Sequence, residues 1–310
     1  MKRKLLPFAL ISIFFFMLVK PNETFSGASE GLLLWFQIVL PTLFPFMIIT
    51  NLLVRTNTMF YFSKCLSPIL SPLFHVSANG TFAILTGFLC GYPMGAKVTA
   101  DLVRSGKISK KEGSYLLSFC NNTSPMFIMN YVVLKSLKQE NLLIPSLLIL
   151  FLSPILCSFL FRIYYLKEEK HYSSSALTSP HFYFHFQILD STIMNGFEMI
   201  TKVGGYIILF SVLITLLREI PCSSPLWTTF VLPSLEITNG IPMIISLCHS
   251  FPLSFILVMA LVSFGGLCSI AQTKCMLEGT GLSIVSYTIE KLITAMVTSL
   301  LSFVCLYFIL

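Results

Sequence analysis

Charge is what this sequence has least of. Asp, Glu, Lys and Arg make up 11% of its 310 residues, where a soluble domain carries about 25%. Hydrophobic residues make up 55%, and mean hydropathy is +0.84. This excludes an ordinary water-soluble domain and identifies an all-α polytopic membrane protein whose first partner is the lipid bilayer. Acidic residues are scarcer than basic ones, 13 against 20, giving a net charge of +7. That excess is not a nucleic-acid footprint. The basic residues sit in short clusters between apolar runs, as the positive-inside bias of membrane proteins requires. The clusters are Lys2, Arg3 and Lys4, then Arg104, Lys107, Lys110 and Lys111, then Arg162, Lys167 and Lys170.

Signatures of reaction chemistry are also missing. The nine cysteines lie mostly inside apolar runs, form no C-x-x-C pair and have no histidine cluster beside them. They read as small apolar packing residues, and neither a metal site nor a disulfide framework is expected. No hydrolytic triad, Walker A loop or dinucleotide fingerprint occurs, so no cofactor is expected and ATP-driven pumping by this chain alone is disfavoured. An intramembrane enzyme needs a paired acid or a nucleophile with its base, and Glu236 stands almost alone in the apolar regions. The chain reads as a non-enzyme.

Four segments divide the chain. Residues 1–25 pair Lys2–Lys4 with the apolar run Leu5–Val19, and read as a first helix or signal anchor in preference to a leader cleaved around Ser26–Ala28. Residues 26–166 form a first half and 188–310 a second, joined by a serine-rich polar linker at 167–187. Gly31–Leu53 and Gly196–Leu217 are matching apolar runs, and Gly87-Phe88-Leu89-Cys90 resembles Gly265-Gly266-Leu267-Cys268. Such internal repeats are a mark of secondary transporters, although shared membrane composition also produces them.

Glycine, proline and amides break the apolar runs at four places. Backbone left unpaired by such breaks survives at membrane depth only against protein or a cavity. In the first break, Gly87, Gly91 and Gly95 recur at four-residue spacing around Tyr92-Pro93. This suits a re-entrant hairpin whose half-helix N-termini favour an anion, and Lys97 just beyond would steer one. Helix packing by the glycines and a Lys97–Asp101 surface pair are the competing readings. The second break, Asn121-Asn122-Thr123-Ser124 before Pro125, supplies neutral donors and acceptors for a solute; an ordinary loop competes. The third, Glu236 with Thr238, Asn239 and Gly240, places an acid at membrane depth, a functional-site signal; a helix N-terminal carboxylate competes. The fourth holds Gln272, Thr273 and Lys274, read as a second-half hairpin against the alternative of a helix end.

At Pro41–Pro45 (PTLFP), Gly91–Lys97 (GYPMGAK) with Asp101, Ser118–Pro125 (SFCNNTSP), Leu235–Gly240 (LEITNG) and Gly265–Lys274, the chain resembles the YlbJ-like sporulation integral membrane proteins. Those belong to the nucleoside-recognition or Gate group, which is similar to concentrative nucleoside transporters. Gln272-Thr273 is similar to part of the Q-T-E of nucleoside-transporter hairpins, with Lys274 where the acid would stand. The resemblance implies a carrier for a small organic solute at sporulation, with dipicolinic acid the expected cargo, in the mother-cell-derived membrane around the forespore of a bacterium. Homo-oligomers and other sporulation membrane proteins are the implied protein partners. A nucleoside-type or ion-coupled transporter is one alternative. A non-transporting scaffold for the spore envelope is another.

Overall fold

The computed structural model describes residues 2–56, 58–166, 185–220 and 224–309. All regular secondary structure among the described residues is helical. Among the described residues five helices are long and apolar enough to cross a membrane: Pro21–Arg55, Glu140–Tyr165, Phe186–Arg218, Phe251–Met276 and Ile284–Phe308. The protein is thus an integral multi-pass membrane protein. The expected polar linker lies almost wholly outside the described residues.

The N-terminal helix α1 (Lys2–Val19) stands largely apart, with exposed apolar side chains. The first spanning helix joins α2 (Pro21–Leu34) to α3 (Leu40–Arg55) through a π-helical turn at Trp35–Val39, which ends two residues before Pro41. That turn accommodates the proline's missing N–H without stopping the helix. The boundary read at residue 25 falls inside α2. The second half opens with α10 (Phe186–Arg218), which runs antiparallel to α2 and α3. A Cβ on Gly31 would lie 2.8 Å from the Ile208 Cα, and the Trp35 indole donates to the Ile200 carbonyl at 2.9 Å. Arg55 donates to Ser191 at 2.7 Å, and Lys20 pairs with Glu219 at 2.7 Å at the other end.

Each half then builds one hairpin and one broken span. In the first half, α4 (Met59–Phe74) turns by 91° into α5 (Ala78–Leu89). After the break at Cys90–Pro93, α6 (Met94–Arg104) returns beside α5. Asn79 Nδ2 donates to the Lys107 carbonyl at 3.2 Å, so both arms end at the same level. Next, α7 (Lys110–Cys120) runs inward and stops at Asn121–Ser124. The chain continues through α8 (Pro125–Phe127) and a π-helical stretch, Ile128–Leu137, to the opposite end, from which α9 (Leu143–Tyr165) returns.

The second half repeats this plan upside down. A π-turn at Trp227–Val231 leads into α11 (Leu232–Leu235), Glu236 breaks the chain, and α12 (Ile237–Leu247) folds back along it. This is the second hairpin, entering from the end opposite the first. Then α13 (Phe251–Phe264), the break at Gly265 and α14 (Gly266–Met276) follow one another in a single span. The last helix is α15 (Ile284–Ile309). Directions are fixed by contacts. Arg104, at the open end of hairpin one, donates to the Glu278 carbonyl just past α14. Thr298, far along α15, donates to Ser263 at 2.8 Å.

Two expectations are corrected here. Gln272 and Thr273 are not on a hairpin; they lie one turn and more into α14, the outer part of a broken span. Gly87-Cys90 and Gly265-Cys268 are therefore not equivalent, since one ends a hairpin arm and the other interrupts a span. The apolar match between Gly31–Leu53 and Gly196–Leu217 does fall on the helices that open each half. Burial follows the same division. One apolar cluster gathers Phe82, Leu116 and Ile108 around hairpin one, and another gathers Ile241, Val258 and Leu306 around hairpin two.

Candidate functional site

Every half-helix that stops in mid-bundle leaves backbone groups without intrahelical partners. Lipid supplies none, so the protein must. The sequence meets this by capping most of the broken ends, often from the other half. At the N-terminus of α6, the Ala96 N–H donates to Asn121 Oδ1 at 3.2 Å. Ser124 caps α8, accepting from the Phe127 N–H at 3.3 Å. At the C-terminus of α13, the Thr123 hydroxyl donates to the Val262 carbonyl at 2.9 Å, and the Tyr92 hydroxyl to the Ser263 carbonyl at 3.2 Å. The Tyr131 hydroxyl donates to the Thr238 carbonyl.

Glu236 caps α12. Its carboxylate accepts from the backbone N–H groups of Thr238 (3.0 Å) and Asn239 (2.9 Å), the Thr238 hydroxyl (2.5 Å) and Asn239 Nδ2 (2.8 Å). Asn239 also donates to Ser211 on α10 at 2.7 Å. The acid at membrane depth is thus held by the helix-terminal reading as well as facing the cavity described below.

The glycines let these ends approach. A Cβ on Gly87 or on Gly95 would overlap the Cys120 carbonyl oxygen, and one on Gly91 would lie 2.7 Å from Ser124 Cβ. Gly91 has φ of +80° and Gly265 of +86°, the left-handed region that only glycine enters freely. Gly240 plays the matching part in hairpin two, pressed against the Pro233 carbonyl. Pro93, in a cis peptide with Tyr92, and Pro125 flank the first two breaks.

All four breaks meet at one cavity. Its wall takes Tyr92 from hairpin one, Thr123 and Ser124 from the first broken span, Glu236 and Thr238 from hairpin two, and Gly265, Ser269 and Gln272 from the second broken span. Val39, Leu43, Phe127, Val203 and Ile207 complete it as an apolar floor. The space open to water centres is about 50 Å³, room for a few waters. A ring-sized solute enters only if a wall moves. Gln272 is buried and its side-chain amide meets only the Cys268 sulfur, at 3.3 Å, among the described residues. Sulfur is a weak acceptor, so this amide has hydrogen-bonding capacity to spare. The first turn of α14 beside it carries no side-chain cap.

The sequence-derived site residues separate into two layers. Tyr92, Thr123, Ser124, Glu236, Thr238 and Gln272 face the cavity. Asn121, Asn122, Asn239 and Thr273 sit behind them and hold the breaks in place. Asn121 Nδ2 donates to Thr273 Oγ1 and to the Tyr287 hydroxyl, each at 2.9 Å, and Asn122 Nδ2 donates to the Phe119 carbonyl at 2.7 Å. Lys97 does not reach the cavity. Its ammonium meets Asn51 Oδ1 at 3.0 Å and Asp101 at 3.4 Å, the surface-pair arrangement.

Sequence reasoning overlooked the last helix. Glu290 and Lys291 are both buried, so Glu236 is not the lone ionisable group in the apolar regions. Glu290 accepts from the Tyr165 hydroxyl. Lys291 donates to the Asn121 carbonyl at 3.1 Å and to Asn122 Oδ1 at 3.2 Å, with its ammonium 5.2 Å from the Tyr92 ring centre. The signal was present: an intramembrane ionisable residue is a functional-site marker. It was missed because no glycine or proline interrupts that run.

Residues 36–140 match the Gate family, described as nucleoside recognition. The chain is 28% identical over 322 residues to the sporulation integral membrane protein YlbJ of Bacillus subtilis (strain 168), covering 92% of this chain and 79% of that protein. No solved structure matches. The resemblance read from the sequence motifs is therefore shown.

Proposed function

We propose that this chain is a membrane carrier, not an enzyme, that moves a small organic solute by alternating access to the cavity where its four helix breaks meet. The convergence of two inverted repeats on one cavity carries this reading, since secondary transporters place their site at such a meeting of broken helices. The cavity as it stands has room for only a few waters, so the transport cycle must widen it to take a larger solute. Each hairpin enters from its own end, so withdrawing one hairpin opens the cavity toward one end only.

The cargo proposed is a small planar anion such as dipicolinate. The uncapped start of α14 offers backbone N–H groups, and Gln272 an amide with hydrogen-bonding capacity to spare. Likeness to the B. subtilis sporulation protein supports a role at sporulation, and the membrane proposed is the mother-cell-derived one around the forespore. A nucleoside-type cargo is the second reading, favoured by the description of the Gate family.

Uptake of labelled dipicolinate into proteoliposomes holding the purified chain, with labelled uridine alongside, tests the proposal. Saturable dipicolinate uptake is expected. Gln272→Leu, similar in volume but without the amide, is expected to raise the half-saturation concentration about tenfold, equivalent to about 1.4 kcal/mol. Uridine uptake in place of dipicolinate moves the chain to the nucleoside-type reading. Uptake of neither by a folded chain favours the scaffold reading.

A further inference from the structure

Lys291 is 1% exposed, and no carboxylate among the described residues lies within salt-bridge reach of it. An isolated buried ammonium is costly unless its donors are satisfied. Here all its contacts are neutral oxygens and a ring face: the Asn121 carbonyl at 3.1 Å, Asn122 Oδ1 at 3.2 Å, and the Tyr92 ring at 5.2 Å. The Asn121 carbonyl stands just past the C-terminus of α7, where the helix dipole is negative. Carbonyl oxygens, a side-chain amide oxygen and the negative end of a half-helix are the surroundings in which broken-helix transporters hold a dissolved cation. An ammonium also sits well against a tyrosine face. Tyr92 in turn lines the cavity, so the charge lies one side chain behind the solute space.

Other ionisable groups nearby do not neutralise it. On its own helix, Glu290 faces away to the Tyr165 hydroxyl of α9, and Tyr287 is occupied with Asn121. From α9, Cys157 is the ionisable group that interacts with it, and a thiol carries no fixed charge. Lys274, which stands where the resemblance to the nucleoside-transporter Q-T-E would put an acid, is exposed.

We propose that Lys291 is a tethered cation: its ammonium occupies the seat at the broken α7 that a dissolved alkali cation would otherwise fill. The Asn121–Ser124 break and the Tyr92 tip then keep their cavity-forming arrangement without sodium. This makes Lys291 a positioning residue rather than a solute ligand. It also separates this chain from a sodium-coupled carrier, whatever the cargo.

The test uses the full chain, purified in detergent, without any solute. Thermal unfolding is compared in the chlorides of sodium, lithium, potassium and N-methylglucamine at equal ionic strength, and saturable binding of radioactive sodium is measured in parallel. The wild-type chain is expected to melt at one temperature in all four salts and to bind no sodium saturably. Lys291→Met and Lys291→Gln empty the seat of charge. Both are expected to melt lower in N-methylglucamine and to recover by several degrees in at least one alkali cation, saturably, because an ion that binds only the native state stabilises it. A loss of packing alone is not repaired by a salt ion. Saturable sodium dependence in the wild-type chain overturns the proposal. So does the absence of cation rescue in whichever variants fold; if Lys291→Met does not fold, Lys291→Gln and the wild-type arm decide.

Discussion

Gly87→Ala is expected to abolish solute uptake and to lower the melting temperature sharply, although the added group is one methyl. The position is in the last turn of α5, where alanine is the better helix former by up to about 1 kcal/mol. Local propensity therefore predicts a gain. Tertiary contact predicts the reverse, because the new Cβ would overlap the Cys120 carbonyl oxygen. A backbone atom cannot swing aside as a long side chain can. Overpacking costs about 1–3 kcal/mol where the core can yield, and here relief requires hairpin one to move away from the end of α7. That movement separates Ala96 from Asn121 and Tyr92 from Ser263, the bonds that close the centre. Gly205→Ala is the control. It lies in α10 with nothing within 4 Å of its added Cβ, and is expected to leave uptake unchanged and stability equal or slightly higher. Thermal unfolding and uptake on the two variants check both statements. Equal behaviour of the two would remove the argument for close packing of the breaks.

Asn121→Leu is expected to be the most damaging change among the polar residues of the breaks. Its side chain makes three hydrogen bonds, to the Ala96 N–H, Thr273 and Tyr287. It thereby joins hairpin one, the second broken span and the last helix, and leucine can replace none of these bonds. Side-chain hydrogen bonds inside membrane proteins average about 0.6 kcal/mol and reach about 1.7, so the loss is roughly 2–5 kcal/mol. Asn121→Leu with Asn122→Leu also removes the amide oxygen that Lys291 uses. The double variant is expected to remain in the membrane, because its apolar spans are intact, and to show no uptake above empty liposomes. Membrane fractionation and uptake together check this. Full uptake by the double variant would contradict the role given to the first broken span.

Much of this centre was legible in the sequence, because what makes a break is local. Glycine frees the backbone, proline removes a donor and short polar side chains compete for backbone groups, so Cys90–Pro93, Asn121–Ser124 and Glu236 each announced themselves. Whether two half-helices fold back or continue is not local. Cys90–Pro93 turns the chain around, whereas Gly265 lets α13 pass into α14 in one span, and short motifs containing glycine and cysteine mark both. Direction is decided by what each arm packs against, which explains why Gln272 and Thr273 were assigned to a hairpin. The division of labour within Asn121–Ser124 was hidden for a related reason. All four residues are polar and buried, but Thr123 and Ser124 face the cavity, while the Asn121 side chain joins Thr273 and Tyr287 and the Asn122 side chain meets Lys291, residues roughly 150–170 positions away. Lys97 was the opposite case, a charge near a break whose partners, Asn51 and Asp101, occupy it outside the cavity.

The opposed entry of the two hairpins is the claim on which the rest stands, and labelling from each side of the membrane tests it most directly. Lys107 lies at the open end of hairpin one and Ser250 just beyond that of hairpin two, and both are exposed. In a background with the nine native cysteines replaced, Lys107→Cys and Ser250→Cys are treated separately with a membrane-impermeant maleimide, on right-side-out and on inverted vesicles. The basic cluster Arg104, Lys107, Lys110 and Lys111 places the first position inside. The account predicts labelling of Lys107→Cys only in inverted vesicles and of Ser250→Cys only in right-side-out vesicles. Labelling of both from the same side would contradict the inverted repeat and, with it, the shared cavity as a site of alternating access.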